Sequence, residues 1–65
     1  MRIQVNGRSV DVIASTLQNL LQELGYENQK VATALNMEFI RDKDRAKTRL
    51  SEGDMVEIVT PRQGG

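Results

Sequence analysis

The sequence predicts an α+β fold: one mixed sheet of four to five strands with a single helix packed across it. Three features predict it. An alternating apolar–polar opening is broken by Asn6-Gly7, one leucine stripe runs at helical spacing, and a second alternating stretch lies near the C-terminus.

The elements follow in order. Met1 to Val5 alternates with the period of a half-buried strand, with Ile3 and Val5 inward. Asn6-Gly7 is a strong signal for a two-residue hairpin turn, because both positions tolerate positive φ. Ser9 to Val12 alternates again, placing Val10 and Val12 on one face, so the chain opens with a β-hairpin. Ser15-Thr-Leu-Gln18 reads as a capping box with Ser15 as the N-cap. Leu17, Leu20, Leu21 and Leu24 then fall at i, i+3, i+4 and i+7, the stripe of a helix over 16–24 that faces a core. Gly25 stands at the left-handed C-cap position.

Val31 to Leu35 has the length and character of a strand, and Phe39-Ile40 forms a further short one. Arg41 to Arg49 is polar apart from Ala46 and reads as a solvated loop. Its five basic residues at every second position would line one edge if the segment were extended. Two interleaved aspartates soften that field, and no aromatic is present for base stacking, so nucleic acid is not the expected partner. Ser51 to Asp54 is a turn cluster in which Asp54 bonds its own backbone. Met55 to Thr60 is the last strand, with Val56 and Ile58 inward. A ferredoxin-like fold would need a second helix, and only 41–50 could supply it, without an apolar stripe. A last strand lying parallel beside the first would make the fold a ubiquitin-like β-grasp. The chain divides into one β-grasp domain over 1–60 and a flexible tail over 61–65.

Composition narrows the function classes. At 65 residues one domain buries only about 60% of its unfolded surface, which excludes a second domain or a large enclosed active site. Nine Lys plus Arg against nine Asp plus Glu leave zero net charge. Nothing in that balance draws the whole molecule to nucleic acid or an anionic membrane. There is no Cys and no His. Disulfides, thiol nucleophiles, imidazole bases and Cys/His metal sites are therefore excluded. The acidic residues have no recognisable ligand spacing, so no metal site is expected. A secreted domain this small would need staples, so a cytoplasmic location is expected. No run approaches the ~20 apolar residues of a membrane span. With so little side-chain chemistry, the chain is expected to act through partners.

The Asn6-Gly7 hairpin, the leucine helix, Val31-Ala-Thr-Ala-Leu-Asn36 with Glu38-Phe-Ile40, Leu50-x-x-Gly-Asp-x-Val-Glu-Ile-Val59 and the terminal Gly64-Gly65 together resemble the ThiS-type sulfur carriers of bacterial thiamin biosynthesis. The resemblance covers nearly the whole chain. Met37 stands where these carriers often have Gly, so a left-handed turn there must rest on Asn36 or be strained. Arg41-Asp42 replaces a familiar proline-containing stretch.

The resemblance implies that the chemistry happens at the Gly65 carboxylate. A ThiF-like adenylating enzyme, bringing ATP and Mg, would adenylate it. A persulfide donor would convert it to a thiocarboxylate, and a ThiG-like thiazole synthase would take the sulfur. No cofactor would be bound by the carrier itself, and a monomer is expected when free. Pro61 to Gly65 extend roughly 17 Å at ~3.3–3.6 Å each, enough to enter a partner's active site. Gly64, Gln63 and Arg62 would thread it. Pro61 ends the strand and restricts the tail's start. Met55, Glu57 and Val59, alternating with the inward pair, form the expected docking surface beside the tail root, where Met adapts to a partner. Tyr26 is expected as a lid on the helix end. The alternatives are the small subunit of molybdopterin synthase, another sulfur carrier, a ubiquitin-like protein modifier joined through Gly65 to a lysine, and a plain interaction module.

Overall fold

The structure, a computed structural model, describes residues 1–61. Five strands form one sheet: β1 (Arg2–Val5), β2 (Arg8–Asp11), β3 (Ala32–Leu35), β4 (Glu38–Ile40) and β5 (Met55–Val59). One helix, α1 (Leu17–Glu23), and a 3₁₀ helix (Asp42–Lys47) complete the fold. The strand order is β2-β1-β5-β3-β4. Both hairpins are antiparallel, and β5 runs between them, parallel to β1 and antiparallel to β3. This is the ubiquitin-like β-grasp, with the sheet at five strands.

The hairpin turn forms where its dipeptide predicts. Asn6 (φ +52) and Gly7 (φ +85) are both left-handed, as a two-residue turn matched to strand twist requires. Register pairs Ile3 with Val10 on the inner face. The leucine stripe lands there too: Leu17, Leu20 and Leu21 are buried with Ile3, Val12, Val56 and Ile58, and Leu50 closes one end. Leu24 and Tyr26 pack partly against this core. Thr33 is the one buried polar residue among those described, and its hydroxyl donates to the Ile40 carbonyl at 2.9 Å.

Two expectations are corrected. Thr16, not Ser15, caps α1: its Oγ1 accepts the Asn19 N–H at 3.1 Å. The cause is non-local. Thr16 forms an antiparallel bridge with Arg49, and the Ser15 carbonyl accepts the Leu50 N–H at 2.9 Å. That pairing holds Thr16 extended, at φ −125 and ψ 164, so Leu17 is the first residue free to turn. Gln18 therefore falls one position short of the capping-box site.

The second correction concerns 41–49, which is neither an irregular loop nor an extended basic edge. Residues 42–47 wind into the 3₁₀ helix without burying any side chain. Polar tethers hold it instead. Arg45 donates from Nε to Thr33 Oγ1 at 3.1 Å and from a terminal nitrogen to the Val31 carbonyl at 2.7 Å. Thr48 Oγ1 donates to the Asp44 carbonyl at 2.7 Å.

The connections around α1 are also tied by side chains. The Glu23 carboxylate accepts the N–H groups of Ile13 and Ala14 at 3.1 and 2.9 Å. Asp54 accepts the Ser51 N–H at 2.8 Å, closing the turn before β5 as its position predicts. Among the described residues no helix is long and apolar enough to cross a membrane.

Candidate functional site

The candidate site lies on the sheet face opposite α1 and at the end of β5. Val56 and Ile58 point into the core, so Met55, Glu57 and Val59 point out. Met55 is 43% and Val59 60% exposed, and Glu57 is exposed between them. All three expected docking residues therefore share one outer face, on the central strand. Tail residues Arg62, Gln63, Gly64 and Gly65 lie outside the described residues.

Register builds the rest of this face. Glu57 sits opposite Ala34 and Val59 opposite Ala32, while Ala34 sits opposite Phe39. Phe39 is 65% exposed, and Met37, at the β3–β4 turn, is 84% exposed. The small alanines keep the middle of the face low between larger apolar side chains. Sequence reasoning missed Phe39 and Met37. The available signal was the alternation Phe39-Ile40, which lets only one of the two face inward; Ile40 packs partly on the core.

The other half of the face is polar. Gln4 lies beside Met55 and opposite Ser9, and Arg2 faces Asp11. Arg2 donates to an Asp11 carboxylate oxygen at 2.9 Å. That hydrogen bond, and secondarily the guanidinium's charge, holds the Asp11 carboxyl below its ordinary range and raises Arg2. Glu57 makes no ion pair among the described residues. A depression of about 110 Å³ joins the two halves, lined by Gln4, Gly7, Met37, Met55, Val56 and Glu57.

The β3–β4 turn is fastened to the start of β5. Asn36 and Met37 are both left-handed, at φ +50 and +72. The Asn36 backbone N–H donates to the Met55 carbonyl at 2.7 Å, and its Oδ1 accepts the Met55 N–H at 2.9 Å. Its Nδ2 donates to Asp54 at 3.1 Å. The strain expected at this turn thus falls on Met37, a side chain with no Asn-like local bond to offset it. Among the described residues no group of three acidic side chains is placed to hold a metal ion.

A sheet of this order, with an amphipathic outer face and its central strand leading into the terminal residues, defines a small β-grasp protein. The model of the ThiS family matches residues 2–65, which include Gly64-Gly65. The sulfur carrier protein ThiS of Thermus thermophilus is 35% identical over 63 residues, spanning 97% of this chain and 98% of that one. A thiazole synthase of Paramagnetospirillum magneticum is 36% identical over 66 residues; the match takes in all of this chain but 20% of that protein's length. The crystal structure of the thiamine biosynthesis protein ThiS from Geobacter metallireducens superposes with a TM-score of 0.81 at 30% identity, covering all of both chains. The chain belongs to the ThiS family.

Proposed function

We propose that this chain is a sulfur carrier of thiamin biosynthesis, whose working group is the main-chain carboxylate of Gly65. The observation that carries the reading is the ThiS family match, which runs to the Gly-Gly end of the sequence. A carboxylate resists nucleophiles because its charge is delocalised and oxide is a poor leaving group. A ThiF-like enzyme with ATP and Mg joins it to AMP and releases pyrophosphate. The terminal sulfur of a cysteine persulfide then attacks the acyl carbon, and AMP departs. A thiol cleaves the resulting S–S bond, leaving the thiocarboxylate and a disulfide. The thiocarboxylate donates its sulfur to a ThiG-like synthase for thiazole formation. The relative in which a similar segment is part of a thiazole synthase supports that last partnership.

In this reading the chain is a co-substrate rather than an enzyme. Its body offers the outer sheet face to partners, with Met55 and Val59 supplying apolar contact and Glu57 a charge at the centre. Its last residues carry the acceptor atom: Gly65 lies six residues beyond Val59 (65 − 59), so the carboxylate reaches at most roughly 20 Å from the strand end. Arg62, Gln63 and Gly64 pass through the partner's channel. The free protein is a monomer.

Intact mass after incubation with a ThiF-like enzyme, ATP and a persulfide source tests the reading. Exchange of one oxygen for sulfur, abolished by deleting Gly65, is the expected result. An unchanged mass, with an enzyme active on another carrier, would overturn it. A new isopeptide bond to a lysine would instead identify a protein modifier.

A further inference from the structure

The turn between β1 and β2 also governs the end of β5. Along the β1 edge of β5, the carbonyls of Asp54 and Val56 accept the N–H groups of Gln4 and Asn6, both at 2.9 Å. The β1 backbone then leaves the sheet at Asn6-Gly7. Ile58 is the next residue whose N–H and C=O point to that edge, and among the described residues no strand remains to meet them. The Asn6 side chain takes the strand's place. Its Oδ1 accepts the Ile58 N–H at 2.8 Å, and its Nδ2 donates to the Ile58 carbonyl at 3.1 Å. A carboxamide carries the same donor and acceptor as a peptide group. The parallel ladder therefore gains one rung beyond the end of its backbone.

On the other edge, β3 pairs Thr33 with Ile58, and the Ile58 side chain is buried in the core. Ile58 is thus held from three directions. The next residues are Val59, Thr60 and Pro61, which lead to the terminal glycines. Gly7, in the same turn, lines the depression on the outer face beside Met55 and Glu57. The clip therefore joins the docking face to the point where the chain departs from the sheet.

We propose that Asn6 is a positioning residue for the chemistry at Gly65. By fixing the last rung of β5, it sets the direction in which the chain leaves the sheet. That direction decides how often the carboxylate of a docked molecule meets the nucleotide. The assignment rests on the carrier reading above. It separates two roles in space: the outer sheet face governs how tightly a partner is held, and Asn6 governs how productively the bound tail is aimed. Asp at this position would keep the acceptor for the Ile58 N–H but, ionised, would set an oxygen against the Ile58 carbonyl.

The test uses the full chain with Asn6→Gly, which suits the left-handed turn, and Asn6→Asp, which is isosteric. Thr16→Ala serves as a control that weakens the fold elsewhere. Steady-state adenylation by a ThiF-like enzyme is measured against carrier concentration, with amide exchange and Tm on each variant. Expected are folded Asn6 variants with a kcat lower by about tenfold or more and a KM within about twofold of wild type. Exchange at the Ile58 amide should quicken while the β3–β5 amides keep their protection. Thr16→Ala should lower Tm and leave kcat unchanged.

An unchanged kcat in a folded Asn6→Gly chain overturns the assignment, as does an effect confined to KM. An equal kcat loss in Thr16→Ala overturns it as well. If neither Asn6 variant folds, Asn6 is a folding residue and the assignment fails. A wild-type chain that takes no adenylate overturns the carrier reading, and this assignment with it.

Discussion

Met37 carries backbone strain that its side chain does nothing local to offset. At φ +72 a residue with a Cβ gives up about 1–2 kcal/mol, and Gly escapes that cost at about 0.5–1 kcal/mol of extra unfolded-chain entropy. Met37→Gly should therefore stabilise the protein by about 0.5–1 kcal/mol in urea unfolding. Little burial is lost in exchange, because Met37 is 84% exposed. If the outer face is a docking surface, the same variant should bind a partner more weakly, a trade visible in paired stability and affinity measurements. Asp11 gives a residue-scale prediction in pH. Its folded carboxyl titrates below its ordinary range because Arg2 bonds and charges it favourably. A depressed folded pKa means stability that is present above the unfolded value and lost as pH falls through the folded one. The stability gap between wild type and Asp11→Asn should thus be open at neutral pH and close on the acid side of the carboxylate range. Both groups are solvent-exposed, so added salt should narrow the gap as well.

At the scale of the element, the start of α1 shows what a local pattern can and cannot decide. Ser15 and Thr16 are both good caps, and the sequence window around them favours the capping box at Ser15. The bridge from Thr16 to Arg49, more than thirty residues away, settles the matter for Thr16. Thr16→Ala should cost about 1 kcal/mol and Ser15→Ala much less, read from thermal unfolding. The hairpin turn, the leucine stripe and the alternation of β5 were legible because each is a short-range period. The 3₁₀ helix was not, since its stability comes from Arg45 reaching Thr33 and Val31 rather than from an apolar face of its own. Strand register was hidden for the same reason: nothing near Phe39 states that it shares a face with Glu57 through Ala34. The outer face was therefore half legible, with Met55, Glu57 and Val59 found on one strand and Phe39 and Met37 missed on its neighbours.

For the whole molecule, body and terminal residues separate cleanly in the proposed mechanism. Among the described residues the buried core lies between Ile3 and Ile58, so deleting Gly64-Gly65 should leave Tm and circular dichroism unchanged. The same deletion should abolish sulfur transfer, and a truncated chain should still compete with the full one for a partner's docking site. A truncated chain that transfers sulfur would contradict the role given to Gly65. The placement of β5 has a further consequence, for synthesis. The two hairpins share no edge; each meets the rest of the sheet only through β5. A ribosome delivers both hairpins and the helix before residues 55–59 appear, and until then neither hairpin has a partner strand. Early pairing is therefore limited to local turns, and the cooperative step waits for β5. Nascent chains stalled before β5 should remain open to protease, whereas those with β5 exposed should resist it. The outer face of β5 would thus be offered to a partner only by a molecule whose sheet is already complete.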